Sequence, residues 1–173
     1  MKLSYFIEVA EEFGKKIWPV KNKLKIKDLM LYGSLTYKKR NPHDVDMLIL
    51  HSSKILEKFQ DIADSKIADS KKLIILSRIL RKKLNLIKIF EGSQTKELID
   101  SRKFNIKFMN IKFFTNKYYK IKWIKRNLRL HGNKKKKARL SGETFEECIF
   151  RQGLLWNPKT QEYDIPALKK YRL

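Results

Sequence analysis

A single cysteine in 173 residues, Cys148, excludes an intramolecular disulfide and any zinc site built on several thiolates. Histidine is nearly as scarce, and His43, His51 and His131 are too scattered to read as a metal cluster. No apolar run approaches the ~20 residues that span a membrane, so no membrane partner is expected. The N-terminal segment carries Glu8, Glu11 and Glu12 within a helical pattern, unlike a signal peptide. The expectation is therefore a cytoplasmic or nuclear protein, not a secreted one. Acidic residues are the other shortage. Only 18 Asp and Glu stand against 41 Lys and Arg, a formal net charge of +23.

That surplus runs from Lys2 to Arg172 and is not confined to a tail. A field of this sign attracts a polyanion, and nucleic acid is the commonest one for so basic a chain. The hydrophobic fraction of 42%, with 10 Phe, 7 Tyr and 3 Trp, is enough to bury a core. The length suits one domain or a compact pair of subdomains.

The pattern along the chain is α+β. Residues 3–17 place Phe6, Val9, Ala10, Phe13 and Ile17 at helical spacing, and Pro19 closes the helix. A strand is expected before Gly33 and another from Asp44 to Leu50. Ser53 reads as an N-cap for a helix to about Asp64, and residues 70–84 as a second helix. Strands are expected over 86–90, 95–99 and 104–114, then a basic helix over 116–130. Residues from Trp156 to Pro166 read as a short turn-rich cap, and a subdomain boundary is expected near His131. Trp18, Trp123 and Trp156 read as packing residues rather than base-stacking platforms.

The chemistry is concentrated in Gly33-Ser34, nine intervening residues, and Asp44-Val45-Asp46. Glycine permits close backbone approach, and the Ser34 hydroxyl with nearby N–H groups can hold phosphate oxygens. Asp44 and Asp46 share one strand face because side chains repeat every two residues. Paired carboxylates repel unless cations neutralise them, and their hard oxygens suit Mg²⁺ or Mn²⁺. Two such metals about 4 Å apart activate a hydroxyl and stabilise a leaving pyrophosphate.

These residues resemble the signature of the DNA polymerase beta superfamily: Gly-Ser, a spacer of about nine, then Asp-hydrophobic-Asp. Further stretches are similar to the family X polymerases, and the overall match is to the minimal enzymes of large DNA viruses. Met109-Asn110-Ile111-Lys112 resembles the family's third catalytic strand, with Asn110 where a third Asp belongs. Leu130-His131-Gly132-Asn133 resembles the turn that contacts the nucleotide sugar, and Gln152-Gly153-Leu154-Leu155-Trp156 the hairpin after it. The resemblance implies a nucleotidyltransferase palm over residues 1–130, with a mixed, mostly antiparallel sheet. It implies a C-terminal subdomain over 131–173 that contacts nucleotide and duplex. Asp44, Asp46 and Asn110 become the catalytic set, with Asp44 and Asp46 as metal ligands. Gly33, Ser34, Lys38, Arg129, Leu130 and Gly132 become nucleotide contacts, and Lys134, Lys137 and Arg139 DNA contacts. Tyr37 stands where the family grips the triphosphate with Arg, and Arg129-Leu130 where it packs an aromatic pair. The implied activity is template-directed nucleotide addition to a DNA 3′ end, as in gap-filling repair. The implied partners are gapped or primer-template DNA and a nucleoside triphosphate, for a monomer in cytoplasm, nucleus or virus factory. Alternatives are transfer to RNA or protein hydroxyls, or a decayed enzyme that only binds nucleic acid.

Overall fold

An apolar stripe fixes the first element. Helix α1 (Leu3–Ile17) buries Phe6, Val9, Ala10, Phe13 and Ile17, the residues whose spacing predicted it. Glu12 and Lys16 pair at 3.0 Å one turn apart on its outer side. Pro19 lies in the 3-10 turn Trp18–Val20 that ends the helix. In this computed structural model the described residues are 3–36, 42–54, 56–57, 92–101, 103–112 and 145–171. The helices expected over 70–84 and 116–130, the strand over 86–90 and the boundary near His131 lie outside them.

After the short helix α2 (Lys21–Leu24) the chain enters β1 (Ile26–Tyr32), turns at Gly33–Leu35, and returns as β2 (Val45–His51). Helix α3 (Gln94–Asp100) precedes β3 (Phe104–Asn110), and α4 (Phe145–Gln152) precedes β4 (Leu154–Asn157), β5 (Glu162–Pro166) and α5 (Ala167–Lys170). The five strands form one sheet in the order β3-β2-β1-β4-β5. Only β2 and β3 are parallel; β1–β2, β1–β4 and β4–β5 are antiparallel. The α+β class and a mixed, mostly antiparallel sheet are therefore observed. Among the described residues no helix is long and apolar enough to cross a membrane.

Alternation along the strands divides the core into two layers. Leu29, Leu31, Val45, Met47, Ile49, Phe104 and Phe108 face α1. Met30, Tyr32, Leu48, Leu50 and Met109 face the other way, onto Ile149, Phe150 and Ala167. Trp156 is buried in the α1 layer and lies so close to the helix that a Cβ on Gly14 would meet its ring at 2.5 Å.

Two expectations are corrected. Residues 95–99 are helix, not strand: Gly92 turns with φ +71°, and the Ser93 hydroxyl caps α3 by accepting from the Lys96 N–H at 3.2 Å. Thr95 and Leu98, three apart, then face inward, and the Thr95 hydroxyl donates to Glu12 at 2.8 Å. Burial would raise the Glu12 carboxyl, but hydrogen bonds from Lys16 and Thr95 outweigh it and hold the group below its ordinary pKa. The segment from Trp156 to Pro166, expected as a short turn-rich cap, belongs to the sheet. Strand β4 pairs with β1 through Met30–Leu155 and Leu31–Leu154, so residues 154–166 extend the layer that carries the carboxylates. Ser53 does begin a helical turn, accepting from the Leu56 N–H at 3.5 Å.

Candidate functional site

The site lies where β1 ends and β2 and β3 begin. Gly33 has φ +80°, in the left-handed region, and a Cβ there would overlap an Asp46 carboxylate oxygen. Both facts demand glycine at this turn. The Gly33 carbonyl accepts from the Thr36 N–H at 3.1 Å and from the Thr36 hydroxyl at 2.9 Å, which closes the 3-10 turn. Ser34 is half-buried, and its hydroxyl is buried with no hydrogen-bond partner among the described residues.

Tyr32 of β1 pairs with Asp46 of β2, and Asp46 pairs with Asn105 of β3. These three neighbours share one sheet face, opposite α1. The Asn105 amide donates to Asp44 at 2.8 Å and to Asp46 at 3.5 Å, so both carboxylates lie on that face, as the spacing predicted. The Tyr32 hydroxyl is buried, and among the described residues it has no partner. Burial pushes its pKa well up, and the charges of Asp46 and Asp44 push further in the same direction.

The residue of β3 that reaches the carboxylates is Asn105, and Asn110 is not brought to them. Asn-Ile-Lys-Phe occurs twice, beginning at Asn105 and at Asn110. Because β3 runs parallel to β2, the start of β3 reaches Asp46, while Asn110 pairs with His51 at the opposite end. Five residues separate the copies, roughly 16 Å of strand, and an odd offset also turns the side chain to the other face. Asn110 instead donates to Glu57 at 3.4 Å and accepts from the Lys112 N–H at 3.0 Å. Asp100 closes α3 in an exposed ion pair with Lys96. Lys38, Arg129, Leu130, Gly132, Lys134, Lys137 and Arg139 lie outside the described residues.

Among the described residues no group of three or more His, Cys, Asp or Glu could hold a metal ion. The oxygens present nevertheless fit a divalent cation of the Mg²⁺ type: two half-buried carboxylates on one face, with the Ser34 hydroxyl on the adjoining turn. Asn105 fits less simply, because its N–H₂ now meets the oxygens a cation would take. An amide must turn its carbonyl inward to act as a ligand. No family model and no curated protein matches the chain.

Proposed function

We propose that the chain is a divalent-metal-dependent nucleotidyltransferase of the DNA polymerase beta type, adding a nucleotide to a DNA 3′ end, as in filling a gap. The single observation that carries this reading is the Gly33–Ser34 turn lying directly against Asp46, which shares the Asn105 amide with Asp44. Other phosphate sites use a glycine turn, but here it adjoins paired carboxylates, a combination suited to metal-assisted phosphoryl transfer.

Each residue has a physical task. Gly33, with no side chain, lets phosphate oxygens approach the backbone, and the Ser34 hydroxyl donates to one of them. Asp44 and Asp46 hold the cation, and Asn105 keeps the two carboxylates in register. When bound, Mg²⁺ or Mn²⁺ supplies the positive charge that neutralises the triphosphate and acidifies the attacking hydroxyl. In the transfer a new oxygen–phosphorus bond forms at the α-phosphate as the α–β bond breaks. Pyrophosphate leaves, and the hydroxyl proton ends in solvent. The formal charge of +23 favours a nucleic-acid acceptor over a protein hydroxyl.

One observation favours a second reading. Asn105 already donates to Asp44 and, at longer range, to Asp46 without a metal, which suits a scaffold that binds nucleic acid and does not turn over. Primer extension on a duplex with a one-nucleotide gap, in Mg²⁺ or Mn²⁺, separates the two. Incorporation that is lost in Asp44→Ala/Asp46→Ala and rises in Asn105→Asp supports the transferase. Silence from the wild type and from Asn105→Asp, with DNA still bound, leaves the binding role.

A further inference from the structure

The end of the sheet remote from the carboxylates is built of lysines, and they come from separate parts of the chain. Lys21, Lys23, Lys25 and Lys27 follow one another through α2 into β1. Lys54 follows β2, and Lys112 follows β3. The backbone ties these segments together: the Ser52 N–H donates to the Lys25 carbonyl at 3.0 Å, and the Ile111 N–H donates to the His51 carbonyl at 2.7 Å. Three adjacent strand ends span about 10 Å, and the row lies roughly 17 Å along β2 from Asp46.

Among the described residues little acid offsets this charge. Residues 13–27 contain no Asp or Glu, nor do residues 101–142, which include β3. Asp28 is buried and accepts from Lys170 and Tyr171, while Glu57 accepts from Asn110. Lys23, Lys25, Lys27 and Lys54 are exposed, and no ion pair joins them to an acid among the described residues. Lys25 is also the C-cap of α2 with φ +52°, a conformation in which Gly or Asn is less strained. The opposite bound of the patch is the β4–β5 hairpin, where Glu162 and Asp164 return the sign to negative.

We infer that this lysine end is a second nucleic-acid contact, gripping the phosphate backbone of duplex DNA apart from the carboxylate site. Duplex DNA carries one charge per ~1.7 Å of axis, so a patch about 10 Å wide faces about six phosphates. Lysine ammoniums act there as point charges that fix affinity and register without reading bases. The inference does not depend on nucleotidyl transfer, because binding at this end requires neither Asp44 nor Asp46.

The test is fluorescence anisotropy of a labelled blunt duplex across a salt series, with the full chain. Compared are the wild type, Lys25→Gln/Lys27→Gln/Lys54→Gln, and the same three positions as Arg. Each phosphate contact adds about 0.9 to the slope of log K on log salt. The Gln variant is expected to lower that slope by about 2.7 and affinity on the order of a hundredfold near 0.1 M salt. The Arg variant should hold both. An unchanged affinity, or a weaker one at unchanged slope, overturns the inference, since either means these lysines touch no phosphate. So does a loss confined to phosphatidylserine vesicles, which would make the surface membrane-facing. Should the Gln variant fail to fold, lysine acetylation of the wild type decides. Duplex must protect Lys25, Lys27 and Lys54, and equal labelling with and without DNA rejects the contact.

Discussion

The Asn105 amide bridges toward Asp44 and Asp46 from the neighbouring parallel strand, at 2.8 and 3.5 Å. A neutral side chain thus reaches both carboxylates from the adjoining strand. It supplies hydrogen bonds but no charge, so it relieves their repulsion without adding affinity for a cation.

Replacing Asn105 by Asp should reverse both effects. Without divalent metal, Asn105→Asp adds a third negative charge to a half-buried cluster and is expected to cost about 1–2 kcal/mol, a fall in Tm of roughly 3–6 °C. Saturating Mn²⁺ should recover that loss and stabilise the variant more than it stabilises the wild type. Asn110→Asp, at the other end and on the other face, should show no such metal response. Differential scanning fluorimetry with and without Mn²⁺ checks this. Equal responses from the two variants would contradict the assignment of Asn105 to the site.

The contrast between those two asparagines also marks where the sequence stops being readable. Gly33, Ser34, Asp44 and Asp46 were legible because a local turn and a two-residue strand repeat bring them together. The third position depends on the register of β2 against β3, a pairing across more than fifty residues. Two copies of the same tetrapeptide offered it, and nothing local chose between them. Helix α1 was legible for the same reason as the motif: its periodicity is its own. The α3 segment was misread because Thr95 and Ile99 favour strands, whereas the Ser93 cap and docking on Glu12 decide the outcome. The place of β4 beside β1 is likewise a tertiary fact, set by the shared layer of Met30 and Leu155.

Gly33 should tolerate no side chain. Gly33→Ala places a Cβ against Asp46 on a backbone with φ +80°. Strain of about 1–2 kcal/mol from the left-handed conformation adds to the overlap, for a total near ~3 kcal/mol. Urea unfolding measures it. Adding Asp46→Ala should recover the overlap and leave the strain, so the double variant should lie between the single variant and the wild type. Full recovery would mean that the backbone conformation carries no penalty.

At the other end of β1, Asp28 anchors the chain's last helix. It is 4% exposed and accepts from the Tyr171 hydroxyl and, at 2.9 Å, from Lys170. Burial and then Asp28 itself raise the Tyr171 phenol well above its ordinary pKa, so it remains a donor at every working pH. Asp28→Asn keeps the shape but weakens a charge-assisted bond, at about 1–2 kcal/mol. Tyr171→Phe should cost a similar amount. The double variant should cost clearly less than the two losses combined, because both remove one interaction. Strict additivity in urea unfolding would show that the two groups act independently.

His51 makes stability depend on pH. It is fully buried at the end of β2, and its Nδ1 accepts from the Ser53 N–H at 3.0 Å. Burial lowers its pKa to about 4. The native state therefore holds a neutral imidazole, while the unfolded chain takes up a proton near the usual ~6.5. Between those values the unfolded state binds more protons. The His51 contribution is thus intact above ~6.5 and is lost as pH falls toward 4. From about pH 7.5 to about pH 5 the loss reaches about 2 kcal/mol. Urea midpoints at those two pH values should fall steeply for the wild type. They should fall less for His51→Gln, which keeps an acceptor for Ser53 and cannot titrate. Parallel falls in the two proteins would assign the acid sensitivity to carboxylates elsewhere, and His51 would then be a packing residue alone.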